Sequence, residues 1–284
     1  MERKPEWLRK PYTPPPEDNA TAGLLRELGL NTVCREADCP NAGECFAART
    51  ATFMILGTTC TRDCRFCNVS HGAPDAIDES EPERVAEAVA RLGLRYVVVT
   101  SVTRDDLPDG GAEHFARTVR AIHAVSPDTA IETLIPDFAG NFDALAAVAA
   151  SEPSVISHNM ETVKPLYSEV RPQAGYRRSL DLLAAIPKCN PRVRSKSGVM
   201  LGLGETSEQL IALLSDMRTA DCEFLTLGQY LAPSKRHLPV RAYVTPDEFD
   251  SYGEIARNMG FSFVASAPFV RSSYHAGEAL AQAT

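Results

Sequence analysis

The fold is decided by Thr52-Phe-Met-Ile-Leu-Gly-Thr-Thr-Cys60-Thr-Arg-Asp-Cys64-Arg-Phe-Cys67, in which an apolar run leads directly into three cysteines spaced CX3CX2C. The run over 51–56 predicts a buried β-strand. Downstream, similar runs alternate with helical stretches of about 10–15 residues, a rhythm typical of parallel strands joined by crossover helices. We predict the further strands over 95–100, 130–135, 155–159, 192–201, 224–230 and 261–265.

The predicted fold class is α/β, with a partial (β/α)6 TIM-type barrel. Three segments are expected: an N-terminal extension over 1–50, the barrel over 51–265 and a C-terminal extension over 266–284. Barrels of this type carry their chemistry at the C-terminal ends of the strands. The cysteine triplet after the first strand therefore lies at the edge where a site is expected.

Composition narrows the classes of function. The 284 residues are 44% hydrophobic and 23% charged, which suits a globular protein with a large core. A net charge of -8 argues against a nucleic-acid partner. We find no apolar run long enough to span a membrane and no secretory signal at the N-terminus, so we expect no membrane partner and a cytoplasmic location.

A second triplet, Cys34, Cys39 and Cys45, precedes the first with spacing CX4CX5C. Disulfides fit poorly in a chain without an export signal. Structural zinc sites usually combine paired knuckles into four ligands, whereas both groups here are odd. The spacing therefore favours iron–sulfur clusters, with zinc and disulfides as the less favoured alternatives.

The CX3CX2C triplet, with Phe66 before its last cysteine and Asn68 after it, resembles the signature of the radical S-adenosylmethionine (SAM) superfamily. The resemblance implies that Cys60, Cys64 and Cys67 are catalytic ligands of a [4Fe–4S] cluster whose fourth iron binds SAM. It further implies reductive cleavage of SAM to methionine and a 5′-deoxyadenosyl radical. The cofactor would supply the difficult chemistry, and the protein would orient it.

Other residues at predicted strand ends match positions where this superfamily binds SAM. Gly198-Val-Met-Leu-Gly-Leu-Gly-Glu205 resembles its GxIxGxxE stretch, and Arg171 could pair with the SAM carboxylate. For each position a structural hydrogen bond or salt bridge competes with this interpretation. The predicted cofactor-binding residues are Thr100, Ser101, Asp105, Glu132, Asn159, Arg171, Gly198, Gly202 and Glu205.

The first triplet, together with Arg271-Ser-Ser-Tyr274 near the C-terminus, resembles the lipoyl synthase family across nearly the whole chain. The resemblance implies two [4Fe–4S] clusters, the auxiliary one held by Cys34, Cys39, Cys45 and Ser273. It implies insertion of sulfur at carbon 6 and carbon 8 of an octanoyl-lysine, with two SAM used and the auxiliary cluster sacrificed as sulfur donor. Without the resemblance, Ser273 could equally cap a terminal helix.

The resemblance also implies partners. These are octanoylated lipoyl carrier domains (E2 subunits of 2-oxoacid dehydrogenases and the glycine cleavage H protein), a ferredoxin or flavodoxin-type reductant, and an iron–sulfur carrier that rebuilds the auxiliary cluster. A local basic stretch, Pro233-Ser-Lys-Arg-His237, could dock an acidic carrier or could simply be a solvated loop.

Two other functions compete with this one: another sulfur-inserting enzyme of the same superfamily, resembling biotin synthase, and a two-cluster electron-transfer protein. Electron carriers usually complete each cluster with four cysteines, which disfavours the latter. We assign Cys189 and Cys222 to packing. Among the histidines, His158 is the best candidate for a place in the pocket.

Overall fold

The computed structural model describes residues 4–9, 20–36, 41, 52–273 and 277–282. One large sheet dominates it, with strand order β1-β2-β5-β6-β7-β8-β9-β10, and a two-stranded sheet pairs β3 with β4. Only β1 runs antiparallel to its neighbour; the other seven strands of the large sheet are parallel. The strands are β1 Asn31–Thr32, β2 Thr52–Ile55, β3 Thr59–Cys60, β4 Ser70–His71, β5 Tyr96–Ser101, β6 Ala130–Leu134, β7 Val155–Ser157, β8 Arg194–Leu201, β9 Phe224–Gln229 and β10 Phe263–Ser266.

Helices connect successive parallel strands, as the alternating pattern predicts. Two of them begin with a full capping box: Thr206 with Gln209, and Thr245 with Glu248. The helices are α1 Ala20–Glu27, α2 Val33–Glu36, α3 Glu81–Leu92, α4 Ala112–Val125, α5 Phe142–Ala150, α6 Tyr167–Val170, α7 Tyr176–Cys189, α8 Ser207–Thr219, α9 Pro246–Asn258 and α10 Gly277–Gln282. No helix in the described ranges is both long and apolar enough to cross a membrane.

The architecture is the expected partial barrel, and its seven parallel strands correspond to the seven predicted strands; the (β/α)6 name counts one fewer. The short β10 pairs with β9 in register from Phe263↔Phe224 to Ser266↔Leu227, and so extends the sheet beyond the sixth strand. On the outer face, Val97, Val99 and Ile131 pack against the helices in one continuous core.

The inner face of the sheet surrounds a lumen. Residues in register on parallel strands share a face, so the contacts of Glu132 identify the set that points inward. Its Oε2 accepts hydrogen bonds from Tyr96 Oη at 2.7 Å and from Lys196 Nζ at 2.8 Å. Residues paired with Tyr96, Glu132 or Lys196 on a neighbouring strand share this inner face, as do residues an even number of positions away along each of these strands. They include Thr100, Val155, Ser157, Gly198, Phe224 and Thr226.

The C-terminal helix α10 closes the lower end of the lumen. Ala279 is fully buried against Val155, Phe224 and Phe263, which are the first residues of β7, β9 and β10. Gly277 lies against Tyr96, where an added Cβ would come 3.3 Å from the tyrosine Cβ. The opposite end, where the strands terminate, is left for the cysteine triplet.

Candidate active site

The loop over 60–67, here called the cysteine loop, follows β2 at the C-terminal edge of the barrel. A tight turn through Leu56 (φ 68°) and Gly57 (φ 94°) leads from β2 into β3. The parallel pair β3–β4 then fixes both flanks of the loop through Thr59↔Ser70 and Cys60↔His71. The sequence prediction that the triplet lies at the active edge of a barrel is thus met by its position.

Loops from neighbouring strands hold the backbone of the cysteine loop. The Thr61 backbone N–H and its Oγ1 both donate to the carbonyl of Thr103, each at 3.0 Å. The Arg65 N–H donates to the carbonyl of Val170 at 3.1 Å. These contacts fix the loop to the segments that follow β5 and β7.

The segment after β9 holds the far end of the loop. His237 Nε2 donates to the carbonyl of Cys67 at 3.0 Å, which leaves Nδ1 as the acceptor for Ser234 Oγ at 2.9 Å. Phe66 packs into a small apolar cluster with Val170, Leu203 and Tyr230. The aromatic of the motif therefore anchors the loop to the segments that follow β7, β8 and β9.

A buried ionic clamp passes through the middle of the motif. Arg62 Nε and Nη2 bond to the two oxygens of Asp105 at 2.6 and 2.7 Å, and Nη2 also lies 2.7 Å from Asp137. Arg178 contacts the other oxygen of Asp137 at 2.7 Å. Burial opposes ionisation of Asp137, but the hydrogen bond and charge of Arg62 outweigh it and lower its pKa to about 2. Asp105, predicted to bind cofactor, is therefore engaged by Arg62.

The three thiols of the loop lie close enough to affect one another electrostatically. Burial raises the pKa of Cys67 to about 12 and also raises that of Cys64, with the neighbouring thiols adding to both effects. Arg171 opposes the shift at Cys64. Cys60 Sγ accepts from the backbone N–H groups of Thr103 at 3.3 Å and Arg62 at 3.4 Å. Three partly buried thiols this close together suit a positively charged group that stabilises them as thiolates.

This donor set fits a cubane cluster better than a single ion. No three His, Cys, Asp or Glu side chains within the described segments group tightly enough to hold one metal ion. A [4Fe–4S] cubane instead binds each thiolate at a separate iron, so its ligands stand farther apart. Cys60, Cys64 and Cys67 could hold such a cluster and leave one iron open towards the lumen.

The lumen mouth beside the loop contains polar atoms that need partners. Asn159 Oδ1 and Ser157 Oγ are buried and have no hydrogen-bond partner within the described chain. A Cβ at Gly198 would lie 2.8 Å from Thr226 Oγ1 and 2.9 Å from Asn159 Oδ1, so only glycine leaves this space open. A polar ligand such as SAM would fit here, because it would supply the missing hydrogen bonds.

Three other predicted contacts lie on β5 and β6. Thr100 faces inward, and its Oγ1 donates to the carbonyl of Leu134 at 2.9 Å. Ser101 follows it on the outer face, and its Oγ has no partner in the described structure. Glu132 lies deeper in the lumen, where Lys196 and Tyr96 occupy its Oε2.

The remaining predicted contacts are tied to the backbone. Arg171 Nη1 donates to the carbonyl of Asn159 at 2.8 Å and to Tyr167 Oη at 2.9 Å. Glu205 accepts the backbone N–H groups of Gly202 at 2.5 Å and Leu203 at 2.9 Å. Glu205 thus closes the glycine turn that ends β8. Whether these residues also contact SAM stays a prediction.

Sequence reasoning missed Glu161. It adopts a left-handed backbone with φ 65°, an uncommon conformation for this residue. Its carboxylate accepts from Asn159 Nδ2 at 3.0 Å, and burial raises its pKa. Position after a strand end was the available signal, since Glu161 stands only two residues beyond Asn159. Arg62, Asp137 and His237 were also missed, because their partners lie on distant loops.

The two chain ends approach each other above the barrel. Cys34 is buried in α2, whereas Cys39 and Cys45 lie outside the described residues, as does Tyr274. Asn41, between them in sequence, donates through Nδ2 to the carbonyl of Phe269 at 3.0 Å. The segment that leads to Ser272 and Ser273 therefore contacts Asn41.

Contacts at both sides fix this C-terminal segment in the mouth of the barrel. The carbonyl of Val270 lies against Gly228, in space that a Cβ would fill. Ser272 Oγ accepts from Asn159 Nδ2 at 3.3 Å. Ser273 follows directly and is half-buried.

Three predictions on single residues have a definite outcome. His158 points away from the lumen, because it bonds to the carbonyl of Ile135 and to Ser179 Oγ on α7; its predicted place in the pocket is wrong. Burial lowers its pKa to about 4 and keeps it neutral. Cys222 is buried as predicted, whereas Cys189 is exposed at the end of α7, so the packing role predicted for Cys189 is wrong.

Comparison with known proteins gives one family. The model of the radical SAM superfamily matches residues 54–217. The lipoyl synthase of Alkaliphilus metalliredigens is 56% identical over 280 residues, covering 99% of this chain and 97% of that protein. The lipoyl synthase of Caldanaerobacter subterraneus subsp. tengcongensis is 55% identical over 282 residues, covering 99% and 98%.

Solved structures share the fold at low sequence identity. Streptococcus suis SuiB bound to S-adenosylmethionine superposes with a TM-score of 0.58 at 14% identity, covering 79% of this chain and 54% of SuiB. HydG, a maturase of the [FeFe]-hydrogenase, also gives 0.58 at 13% identity, covering 79% and 58%. These likenesses support the partial barrel.

Proposed function

The chain belongs to the lipoyl synthase family of radical SAM enzymes, and we propose that it inserts sulfur at carbon 6 and carbon 8 of a protein-bound octanoyl-lysine. It is an enzyme of the sulfurtransferase class. The family implies SAM, a [4Fe–4S] cluster and a lipoyl-carrier protein as substrate. The finer proposal adds two SAM per lipoyl group and an auxiliary cluster that is consumed.

The observation that carries the proposal is the contact of Asn41, which lies between Cys39 and Cys45 in sequence, with the segment that leads to Ser273. The hydrogen bond from Asn41 to the carbonyl of Phe269 joins the segment of the first triplet to the segment of Ser273. Ser272 then bonds to Asn159 in the lumen mouth. This arrangement supports a second cluster, held by both ends, close to where SAM would bind.

Each part of the site has a distinct task. Cys60, Cys64 and Cys67 would hold the catalytic cluster, which with bound SAM supplies reductive cleavage to methionine and a 5′-deoxyadenosyl radical. Asn159, Ser157 and the open space at Gly198 would orient SAM in the lumen. The clamp of Arg62 would keep the cysteine loop in place during electron delivery by a ferredoxin or flavodoxin-type reductant.

The auxiliary cluster is treated as a substrate in this proposal. Cys34, Cys39, Cys45 and Ser273 would hold it until two of its sulfides form carbon–sulfur bonds in place of two carbon–hydrogen bonds. Each abstracted hydrogen would leave as 5′-deoxyadenosine, so two SAM are consumed. An iron–sulfur carrier would then rebuild the cluster. The substrate chain would come from E2 subunits or the glycine cleavage H protein.

The test is anaerobic turnover of an octanoyl-lysine peptide with SAM and dithionite, followed by mass spectrometry. We expect two sulfurs to replace two hydrogens, and about eight irons in the reconstituted protein. Cys60→Ala should lose SAM cleavage, whereas Cys34→Ala should cleave SAM without transferring sulfur. The exposed Cys189→Ala serves as the matched control and should match wild type. SAM cleavage by wild type without sulfur transfer would refute the substrate.

Ser273 can be tested separately. An alkoxide is a less usual iron ligand than a thiolate, so we propose that it lets one iron leave when sulfur is removed. Ser273→Cys should therefore keep the iron content of wild type but slow the second insertion. The exposed Ser215→Ala on α8 is the control. Normal rates for both insertions in Ser273→Cys would contradict the proposed role.

A further inference from the structure

Four exposed cations stand around the rim of the active site. Arg65 belongs to the cysteine loop, and Lys235, Arg236 and Arg241 follow β9. No side chain of the four has a hydrogen bond or ion pair to any described residue. We call this set the cationic rim.

Such unpaired cations are uncommon in this chain. Most arginines on other surfaces form ion pairs with carboxylates. Arg84 pairs with Asp78, for example, and Arg117 with Glu79. Among the arginines whose side chains the structure describes, those with neither a hydrogen bond nor an ion pair are Arg65, Arg95, Arg236, Arg241 and Arg257. Three of these five belong to the cationic rim, so most of the unpaired arginines stand at the active edge.

The loop that carries the rim is rigidly built onto the cysteine loop. His237 bonds to the carbonyl of Cys67, and the Leu238 N–H donates to the carbonyl of Arg65 at 3.2 Å. The Arg241 N–H donates to the carbonyl of Gly202 at 2.8 Å, where β8 has ended. The cations are thus held at a fixed place beside the lumen mouth.

Nearby carboxylates do not cancel the rim. Asp105 is paired with Arg62, and Asp63 stands 3.7 Å from His71. Glu205 is bound by backbone N–H groups. Each of these carboxylates therefore has a partner outside the rim, and none pairs with a rim cation.

We propose that the cationic rim docks an acidic surface of the protein that presents the octanoyl-lysine. The inference rests on the proposed function and adds the chemistry of the partner's surface. With a net charge of -8, the chain as a whole repels an acidic protein, so a local positive rim would both attract and orient one. Complementary charge of this kind mainly raises the association rate and weakens as salt is added.

The test compares two substrates and two matched double reversals. Lys235→Glu/Arg236→Glu alters the rim; Arg95→Glu/Lys188→Glu makes the same change in net charge at exposed residues near the opposite edge. The substrates are an octanoylated H protein and a short octanoyl-lysine peptide without acidic residues. Association of the H protein is followed by stopped-flow, and lipoylation of both substrates by mass spectrometry, from low to high salt.

We expect the rim reversal to slow H-protein association and its kcat/KM by roughly tenfold or more at low salt, with the difference shrinking as salt rises. In the rim reversal, peptide turnover and iron content should stay at wild-type values. The Arg95→Glu/Lys188→Glu control should lose far less of the association rate and kcat/KM for the H protein. Equal loss in both double variants, or no loss in either, would overturn the docking surface while leaving the function intact. If wild type converts neither substrate, the proposed function falls, and the docking surface with it.

Discussion

Removing the positive partner of a buried carboxylate in the lumen should be costly. Lys196 Nζ lies 2.8 Å from Glu132 Oε2, and the two side chains are only 1% and 0% exposed. Lys196→Met would leave Glu132 with Tyr96 as its only remaining partner among these residues. Breaking one half of a buried ion pair typically costs about 3–5 kcal/mol, so we expect a loss of that size in the free energy of unfolding.

Removing all three polar groups should recover most of that loss. A triple variant, Lys196→Met/Glu132→Leu/Tyr96→Phe, replaces the ion pair by apolar groups, which is often neutral or stabilising. Arg194→Met is the control, because its pair with Glu223 is partly exposed at 46% and 27% and should be worth about 1 kcal/mol or less. Arg194 also lies on β8, so the strand is the same.

Urea unfolding of the cluster-free proteins, followed by circular dichroism, measures these differences. A loss below about 1 kcal/mol in Lys196→Met would refute the reasoning, because it would mean that water reaches Glu132. SAM binding to the reconstituted triple variant gives a second readout. Recovered stability with lost SAM affinity would support the predicted contact between Glu132 and the cofactor, whereas recovery of both would contradict it.

Three further predictions concern the site and its supports. His158 is neutral when folded, with its pKa lowered from 6.5 to about 4 by burial and then by Arg171, so the unfolded chain binds more protons between these values. The free energy of unfolding should fall by about 3 kcal/mol in total as the pH is lowered from 6.5 to 4. In His158→Gln the urea midpoint should depend less on pH over this range than in wild type. An unchanged pH dependence would contradict the assignment. Gly228→Ala should displace the Val270 carbonyl and lower the iron content of the proposed auxiliary cluster. Gly23→Ala is the control, because no atom lies within 4 Å of the added Cβ. Equal iron contents in the two variants would contradict the proposed role of the C-terminal segment in holding the auxiliary cluster. Arg62→Ala should weaken the cysteine loop and lower the iron bound at the CX3CX2C site at least several-fold relative to Arg117→Ala, which breaks an ion pair at the surface. Iron analysis and electron paramagnetic resonance measure the difference. A wild-type spectrum in Arg62→Ala would contradict the role of the clamp.

The fold was largely readable from the sequence because strand and helix signals were local. The apolar run before Cys60 and the capping pair Thr245–Glu248 each specify their own element through residues a few positions apart. The seventh parallel strand, β10, matches the short strand predicted over 261–265; only the count of six barrel strands left it out.

Residues of the candidate site could be predicted only where the ligands stand close together in sequence with a recognisable spacing. The cysteine loop is such a case. Arg62 could not be assigned from sequence, since its partners Asp105 and Asp137 lie on loops after β5 and β6. His158 was misplaced for a related reason: it adjoins Asn159, but alternation along the strand turns the two side chains to opposite faces.

The contact between Asn41 and Phe269 has a consequence for the order of assembly during synthesis. It joins positions 228 apart in the chain. The chain is made from its N-terminus, so the cysteine loop and the residues that hold it, up to Leu238, are synthesised before Phe269. The contact of Asn41 forms only after Phe269 has been made. The site proposed for the auxiliary cluster would therefore be completed last, after the residues proposed to hold the catalytic cluster.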